Sequence, residues 1–320
     1  MANYQLDARK YFQVGEGSTG EYAPAPLEDE IPRVAGKGLD GIARAPEMTR
    51  HEHIMAIRNG DLGSLHSWEL VTAMDGPGTR MTVFFAGCPL RCLYCHNPDT
   101  LRAREGTVAT PEAILDRMSR YKAVFKVTNG GVTFSGGEPL MQPAFLGKLL
   151  RGAKEMGIHT AIDTSGSLGR NLTDQMMADT DLVLLDVKSG LPDYYERTTG
   201  RQLQPTIDFG HRLSEAGVEI WARFVLVPGL TDDIDNIEAA AEIMKEFSSL
   251  TRVEVLPFHQ MGRDKWETLG MEYQLKDVEP PTKAHTDLIR DIFRSGGLWT
   301  FSPILVPVRA GRSRPARTTT

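Results

Sequence analysis

All three cysteines of this chain fall within eight consecutive positions, as Cys88, Cys92 and Cys95. Their spacing is C-x3-C-x2-C, in the run Gly87-Cys88-Pro89-Leu90-Arg91-Cys92-Leu93-Tyr94-Cys95-His96-Asn97. An odd set packed this closely is not a disulfide framework. Thiolates grouped on a loop are soft ligands suited to an iron–sulfur cluster or to zinc. Three of them can hold three corners of a cubane and leave one iron without a protein ligand. By the logic of three-ligand metal sites, such an open position can bind substrate. Two other readings use the same residues. A structural zinc knot would recruit His96 as fourth ligand, although the adjacent Cys95 and His96 would chelate one ion awkwardly. A ferredoxin-like electron carrier normally needs four cysteine ligands, and the sequence has no fourth.

The cysteines need a scaffold, and the chain from Gly63 onward predicts one. TRMTVFFAG (79–87) reads as an apolar strand ending at the cysteines. Thr110 caps a helix with Pro111 at its first position, and Ile114, Leu115, Met118 and Tyr121 lie along one face. GGVTFSGG (130–137) predicts a strand running into a glycine turn, followed by a helix near 143–156 and a strand over 158–163. DLVLLDVK (181–188) is a nearly continuous apolar strand of the parallel-sheet type. A helix near 206–216 precedes a strand over 219–227. The next helix buries Ile237, Ala240, Met244 and Phe247, and RVEVLPF (252–258) is a further strand. The last clear helix, near 282–295, turns Leu288, Ile289, Ile292 and Phe293 inward and stops at Gly296. A final strand follows near 298–303.

Repeated β-then-α units, about six of them, imply a parallel sheet with right-handed crossovers. The predicted fold is α/β, a partial (β/α)6 TIM-like barrel, with a doubly wound open sheet as the alternative. Asp163, Asp186, Lys188 and His259 fall at strand ends, where barrels carry their chemistry. Lys188 follows Asp186 by two, so both point to the same side of the strand. Arg223 sits inside an apolar strand, where a charge needs a partner. That partner is either a substrate peptide or a structural carboxylate.

Composition narrows the function class. With 41% hydrophobic and 24% charged residues the chain reads as globular. A net charge of −6 argues against non-specific nucleic-acid binding. No apolar run is long enough to span a bilayer, and the N-terminus lacks the basic start and apolar core of a signal peptide. A cytoplasmic location is the default. Residues 1–62 carry scattered Gly, Pro and charge and predict a disordered arm, with a start at Met55 as an alternative. Residues 63–302 form the ordered body, and 303–320 a basic, disordered tail.

The motifs extend well beyond the cysteines. GPGTRMTVFFAGCPLRCLYCHNPDT, GGVTFSGGEPL, IHTAIDTSG, DLVLLDVK, ARFVLVPGLTDD and VLPFHQMGRDKW occur in this order. Together, from about Gly63 to about Thr300, the chain resembles the pyruvate formate-lyase activating enzymes, which are radical S-adenosylmethionine (SAM) activases of glycyl-radical enzymes. The resemblance implies a [4Fe-4S] cluster on Cys88, Cys92 and Cys95, with SAM chelating the open iron. Backbone at Tyr94, Cys95 and His96 would contact the adenine. The Ser135-Gly136-Gly137-Glu138 turn would meet the methionyl amino group, its glycines letting backbone approach the ligand, with Glu138 supporting the turn by hydrogen bonds. Asp163 and Thr164 would share a monovalent cation with Asp186, or else cap the next segment. Within Asp186-Val187-Lys188, the lysine would neutralise the SAM carboxylate. His259 resembles a SAM-contacting histidine, and Arg223 a contact to the substrate peptide. Asp75-Gly76-Pro77-Gly78 would shape the substrate mouth or form a simple turn.

The implied reaction is reductive cleavage of SAM to methionine and a 5′-deoxyadenosyl radical, which takes a hydrogen atom from a glycine of a partner enzyme. The electron would come from flavodoxin or ferredoxin. Activases of diol dehydratases and decarboxylases often insert a ferredoxin-like domain with more cysteines. This chain has no further cysteines, which favours pyruvate formate-lyase as the partner.

Overall fold

The computed structural model describes residues 38–43, 45–72 and 75–301. The predicted basic tail and most of the predicted arm lie outside these residues. Nine strands form one sheet: Gly63–Thr72 (β1), Thr79–Phe85 (β2), Thr107–Ala109 (β3), Gly131–Gly136 (β4), His159–Thr164 (β5), Leu182–Asp186 (β6), Glu219–Leu226 (β7), Leu250–Pro257 (β8) and Thr300–Phe301 (β9). Their order is β3-β1-β2-β4-β5-β6-β7-β8-β9. From β2 through β9 every neighbouring pair is parallel. The six strands β2, β4, β5, β6, β7 and β8 are the predicted partial barrel. At one edge β1 and β3 add antiparallel pairings that the apolar pattern did not separate from the parallel set.

Period-two alternation sorts each strand into two faces. Met81, Val83, Phe85, Val132, Phe134, Ile162, Val183, Leu185 and Phe224 are buried with helix residues such as Ile114, Leu149, Phe209, Ile237, Ile289 and Phe293. This contiguous layer under the helices is the main core. The opposite face is mixed. Ala161, Leu182, Leu184 and Trp221 form a small apolar plug. Toward the carboxyl ends of the strands the inner residues become Asp163, Asp186, Arg223 and Glu254, and in register Asp186 pairs with Arg223 and Arg223 with Glu254. Apolar filling therefore holds the barrel shape below a polar upper layer.

Local signals set most element ends. The Thr110 hydroxyl accepts the Ala113 N–H at 3.3 Å and Pro111 opens the helix Pro111–Ser119. Gly296 caps the helix Lys283–Ser295. That helix buries Thr286, Ile289, Arg290 and Phe293, a single i, i+3, i+4, i+7 stripe. Leu288 lies off the stripe and is 54% exposed, which corrects its predicted inward placement. Phe247 is buried as predicted but follows the end of its helix, Ile234–Lys245.

A helix, Arg50–Asn59, falls inside the stretch predicted to lack structure. A reciprocal capping box builds it: Thr49 N–H donates to Glu52 at 2.8 Å, and Glu52 N–H donates to the Thr49 hydroxyl at 3.3 Å. Its Ile54, Met55 and Ile57 are exposed, so no inward apolar stripe announced it. Met55 lies in mid-helix, and a start there would remove the cap.

Candidate active site at the cysteine loop

β2 ends at Phe85 and delivers the cysteines through Gly87, whose φ of 102° favours glycine. Two backbone bonds close the neck of the loop, Gly87 N–H to Thr100 O at 2.6 Å and Cys88 N–H to Leu101 O at 3.2 Å. Its middle is tied to the C-terminal end of the helix Pro192–Thr199 by Arg91 N–H to Thr199 O at 2.9 Å and Leu93 N–H to Thr198 O at 3.0 Å. The Arg91 guanidinium donates to the carbonyls of Cys88 and Leu90, each at 2.7 Å. The Trp266 indole N–H donates to Cys95 O at 2.9 Å.

The glycine turn after β4 packs directly on this loop. Gly137 N–H donates to Phe85 O and Glu138 N–H to Gly87 O, both at 2.8 Å. A Cβ on Gly136 would lie 2.4 Å from Phe85 N, and one on Gly137 would lie 2.2 Å from Gly87 O. Gly136 is required by its φ of 104° and its close approach to the end of β2, and Gly137 by close approach to the backbone of the cysteine loop.

Cys92 is buried, and Cys88 and Cys95 are half-buried. Burial pushes all three thiols up, and the neighbouring Cys92 pushes Cys88 and Cys95 further, Cys95 to about 12. Lys188 pulls Cys92 the other way. Free thiols here hold their protons, and they become thiolates only against a bound cation. Lys188 is the nearby positive charge, with its Nζ 5.7 Å from the Tyr94 ring centre and 2.7 Å from Asp186 Oδ2. Burial opposes its charge, but Asp186, Tyr94 and Cys92 hold its pKa well above the usual lysine value. The Tyr94 ring is buried and its hydroxyl has no hydrogen-bond partner among the described residues. Val187 donates its N–H to Arg223 O at 3.0 Å and buries its side chain in the main core, so only its backbone lies at the site.

His96 stacks on His259, ring centres 4.0 Å apart, and His96 Nε2 lies 3.1 Å from the His259 carbonyl. Burial, then the second imidazole, lowers the His96 pKa to about 4, so Nε2–H of a neutral ring donates to that carbonyl. The ring is committed to joining two loops. Among the described residues no three His, Cys, Asp or Glu side chains converge where a single ion could sit. With His96 Nε2 on the His259 carbonyl and no fourth cysteine in the sequence, the soft donors of this loop are three thiols, a set that fits a cubane with an open corner.

The carboxylates divide into two groups. Glu138 is 1% exposed and accepts four hydrogen bonds: from Thr164 Oγ1 at 2.7 Å, Ser165 Oγ at 2.6 Å, Ser165 N at 3.1 Å and Leu140 N at 3.2 Å. Both oxygens are taken, so Glu138 is a strut between the β4 and β5 turns and not a ligand contact. Thr164 points into that strut, on the opposite face from Asp163, because neighbours on a strand alternate. Its hydroxyl is therefore turned away from Asp163 and Asp186.

Asp163 faces the barrel interior, accepting from Ser135 Oγ at 2.6 Å and lying 3.3 Å from Arg223. Burial raises its pKa to about 6, with Asp186 and Asp75 adding and Arg223 opposing. Arg223 also pairs with Glu254 at 3.2 Å and with Asp75 at 3.9 Å. The structural carboxylates, one of its two predicted kinds of partner, are thus present around it. The Asp75 turn lies at the amino end of β2, and its carboxylate reaches inside to accept from Thr82 at 2.9 Å. Glu254 and Trp266 were not singled out beforehand. Their signals were weak: an acid opposite Arg223, and an indole in a quoted motif.

Comparison with known proteins agrees with this geometry. Residues 82–241 match the radical SAM superfamily. A pyruvate formate-lyase-activating enzyme of Clostridium pasteurianum is 46% identical over 222 residues, 69% of this chain and 93% of the relative. The enzyme of that name from Staphylococcus aureus (strain USA300) is 42% identical over 226 residues, 68% of this chain and 90% of the relative. A radical SAM methyltransferase from Sphaerobacter thermophilus shares the fold, with TM-score 0.53 at 15% identity, covering 79% of this chain and 81% of that one. Placed beside three soft donors on one loop at the end of β2, these matches make the chain a member of the pyruvate formate-lyase-activating enzyme family within the radical SAM superfamily.

Proposed function

We propose that this protein activates pyruvate formate-lyase by removing a hydrogen atom from a glycine of that enzyme. The observation that carries the reading is the donor set: Cys88, Cys92 and Cys95 on one loop, no fourth cysteine, and Lys188 and the unsatisfied Tyr94 hydroxyl beside them. Radical SAM membership brings a [4Fe-4S] cluster and SAM, which together supply a carbon-centred radical strong enough to break a glycine Cα–H bond. The three cysteines would hold the cluster. Lys188, already charged and held by Asp186, would meet the SAM carboxylate. Backbone at 94–96, with the stacked His96 and His259, would line the adenine, and the Gly136-Gly137 turn would meet the methionyl end. A monovalent cation would rest on Asp163 and Asp186. Arg223 would act indirectly, holding the carboxylates that border the substrate space.

The glycine fits because its Cα carries no side chain and its segment can flex into the barrel. A small electron-transfer protein, flavodoxin or ferredoxin, would supply the electron. The cytoplasm would be the setting, in keeping with the absence among the described residues of a helix long and apolar enough to cross a membrane. Residues 63–302 would form the catalytic body. The test is electron paramagnetic resonance of several purified glycyl-radical enzymes after incubation with the reduced, SAM-loaded protein. A glycyl doublet on pyruvate formate-lyase is expected. A doublet confined to another partner would overturn the assignment.

A further inference from the structure

Two stretches that the active-site reading leaves without a task, 97–99 and 262–266, meet beside the cysteine loop. Asp99 lies in the 3-10 turn Pro98–Thr100 and is 8% exposed. Its Oδ2 is 2.8 Å from His66 Nε2 on β1. Lys265 Nζ, from the helix Arg263–Thr268, lies 3.1 Å from Asp99 Oδ1 and 3.0 Å from Oδ2. The same ammonium donates to Asn97 Oδ1 at 2.9 Å. The turn that holds Asp99 also provides the Thr100 and Leu101 carbonyls that close the loop's neck. The next residue in the helix, Trp266, holds the Cys95 carbonyl. Gly262 lies flush against the loop: a Cβ there would sit 2.8 Å from His96 Cα.

A buried carboxylate is costly unless charged or hydrogen-bonded partners surround it. Asp99 has both kinds, from two elements that neither supply a cysteine nor touch one another in sequence. We propose that Lys265 and Asp99 are positioning residues, which pin the downstream half of the cysteine loop between β1 and the helix Arg263–Thr268. Cys95 is then presented at its ligating position before metal arrives. This rests on the reading that Cys95 is a cluster ligand. The pin itself is a property of the metal-free chain and can be measured there.

The experiment compares wild type, Lys265→Met and Lys265→Arg by amide hydrogen exchange of the metal-free protein, and by the rate of iron loss to a chelator after reconstitution. Lys265→Met should speed exchange across 92–99 by about tenfold, leaving β5 and β6 protected, because only a local opening is made easier. Iron loss should speed up in parallel, and Lys265→Arg should restore most of the protection. Equal exchange across 92–99 in Lys265→Met and wild type would overturn the proposal. If Lys265→Met loosens the whole protein, Asp99→Asn decides, since it keeps the volume and removes the charge. Local loosening in that variant supports the pin, and wild-type protection overturns it. A wild type that takes up no cluster would instead count against the functional reading, with the exchange result still standing.

Discussion

The cysteine loop and the Arg223 network sit on the same end of the barrel and treat their polar groups in opposite ways. In the loop the backbone is satisfied while the side chains are not. Carbonyls of Cys88, Leu90 and Cys95 are capped, yet the thiols are pushed up by burial and the Tyr94 hydroxyl has no partner among the described residues. In the network every charge is answered within the chain. Arg223 meets Asp163, Glu254 and Asp75, and Glu254 is also reached by Arg252 at 3.3 Å. Buried polar groups are ordinarily paired. A buried site left unpaired marks where something from outside belongs, and a closed network marks where the protein supports itself.

That contrast can be broken or sharpened experimentally. The largest effect is expected in the loop. Cys95→Ala should lose the brown colour and most of the iron on reconstitution while its melting temperature without metal stays near that of wild type, read by absorbance and circular dichroism. Full iron loading of that variant would end the contrast. Next comes Arg223→Met. Removing one partner of a buried charge network leaves the others uncompensated, at about 3–5 kcal/mol. A drop in the urea midpoint with an unchanged slope would report it. No drop would free Arg223 for a direct substrate role.

Glu138→Gln should cost about 1–3 kcal/mol, because an amide presents N–H where donors already point. Thermal melting checks this. A stable variant with weakened SAM binding would instead make Glu138 a ligand contact. The smallest effect concerns pH. Asp163 is raised to about 6 in the fold against an ordinary value of 3.8. Its neutral form is favoured by folding, so the contribution is full below 3.8 and is lost as pH rises through about 6. Asp163→Asn, neutral throughout, should gain melting temperature over wild type as pH rises from 4 to 7. A difference independent of pH would mean that Arg223 dominates burial at this position.

Much of this was legible in the chain itself. The apolar runs at 79–87, 181–188 and 219–227 became β2, β6 and β7, since buried parallel strands need apolar residues on both faces. The cysteine spacing located the loop because its chemistry is local. The Thr164 hydroxyl faces away from Asp163 because neighbours on a strand alternate, which shared membership of a motif does not report. The bonds from Glu138 to the β5 turn, and the packing of the two glycines on β2 and the cysteine loop, join segments far apart in the chain, so no local motif reports them. The Lys265–Asp99 contact joins residues 166 positions apart, and no periodicity or spacing reports such a meeting. The helix Arg50–Asn59 was hidden because its exposed Ile54 and Ile57 give no inward stripe.

The most direct test of the central claim is anaerobic. The protein is reconstituted with iron and sulfide, reduced, mixed with SAM and assayed for 5′-deoxyadenosine, with Cys92→Ala alongside. Equal amounts of methionine and 5′-deoxyadenosine from wild type, and none from the variant, are predicted. A wild-type protein with a loaded, reducible cluster and no 5′-deoxyadenosine would contradict the account and point back to an electron carrier.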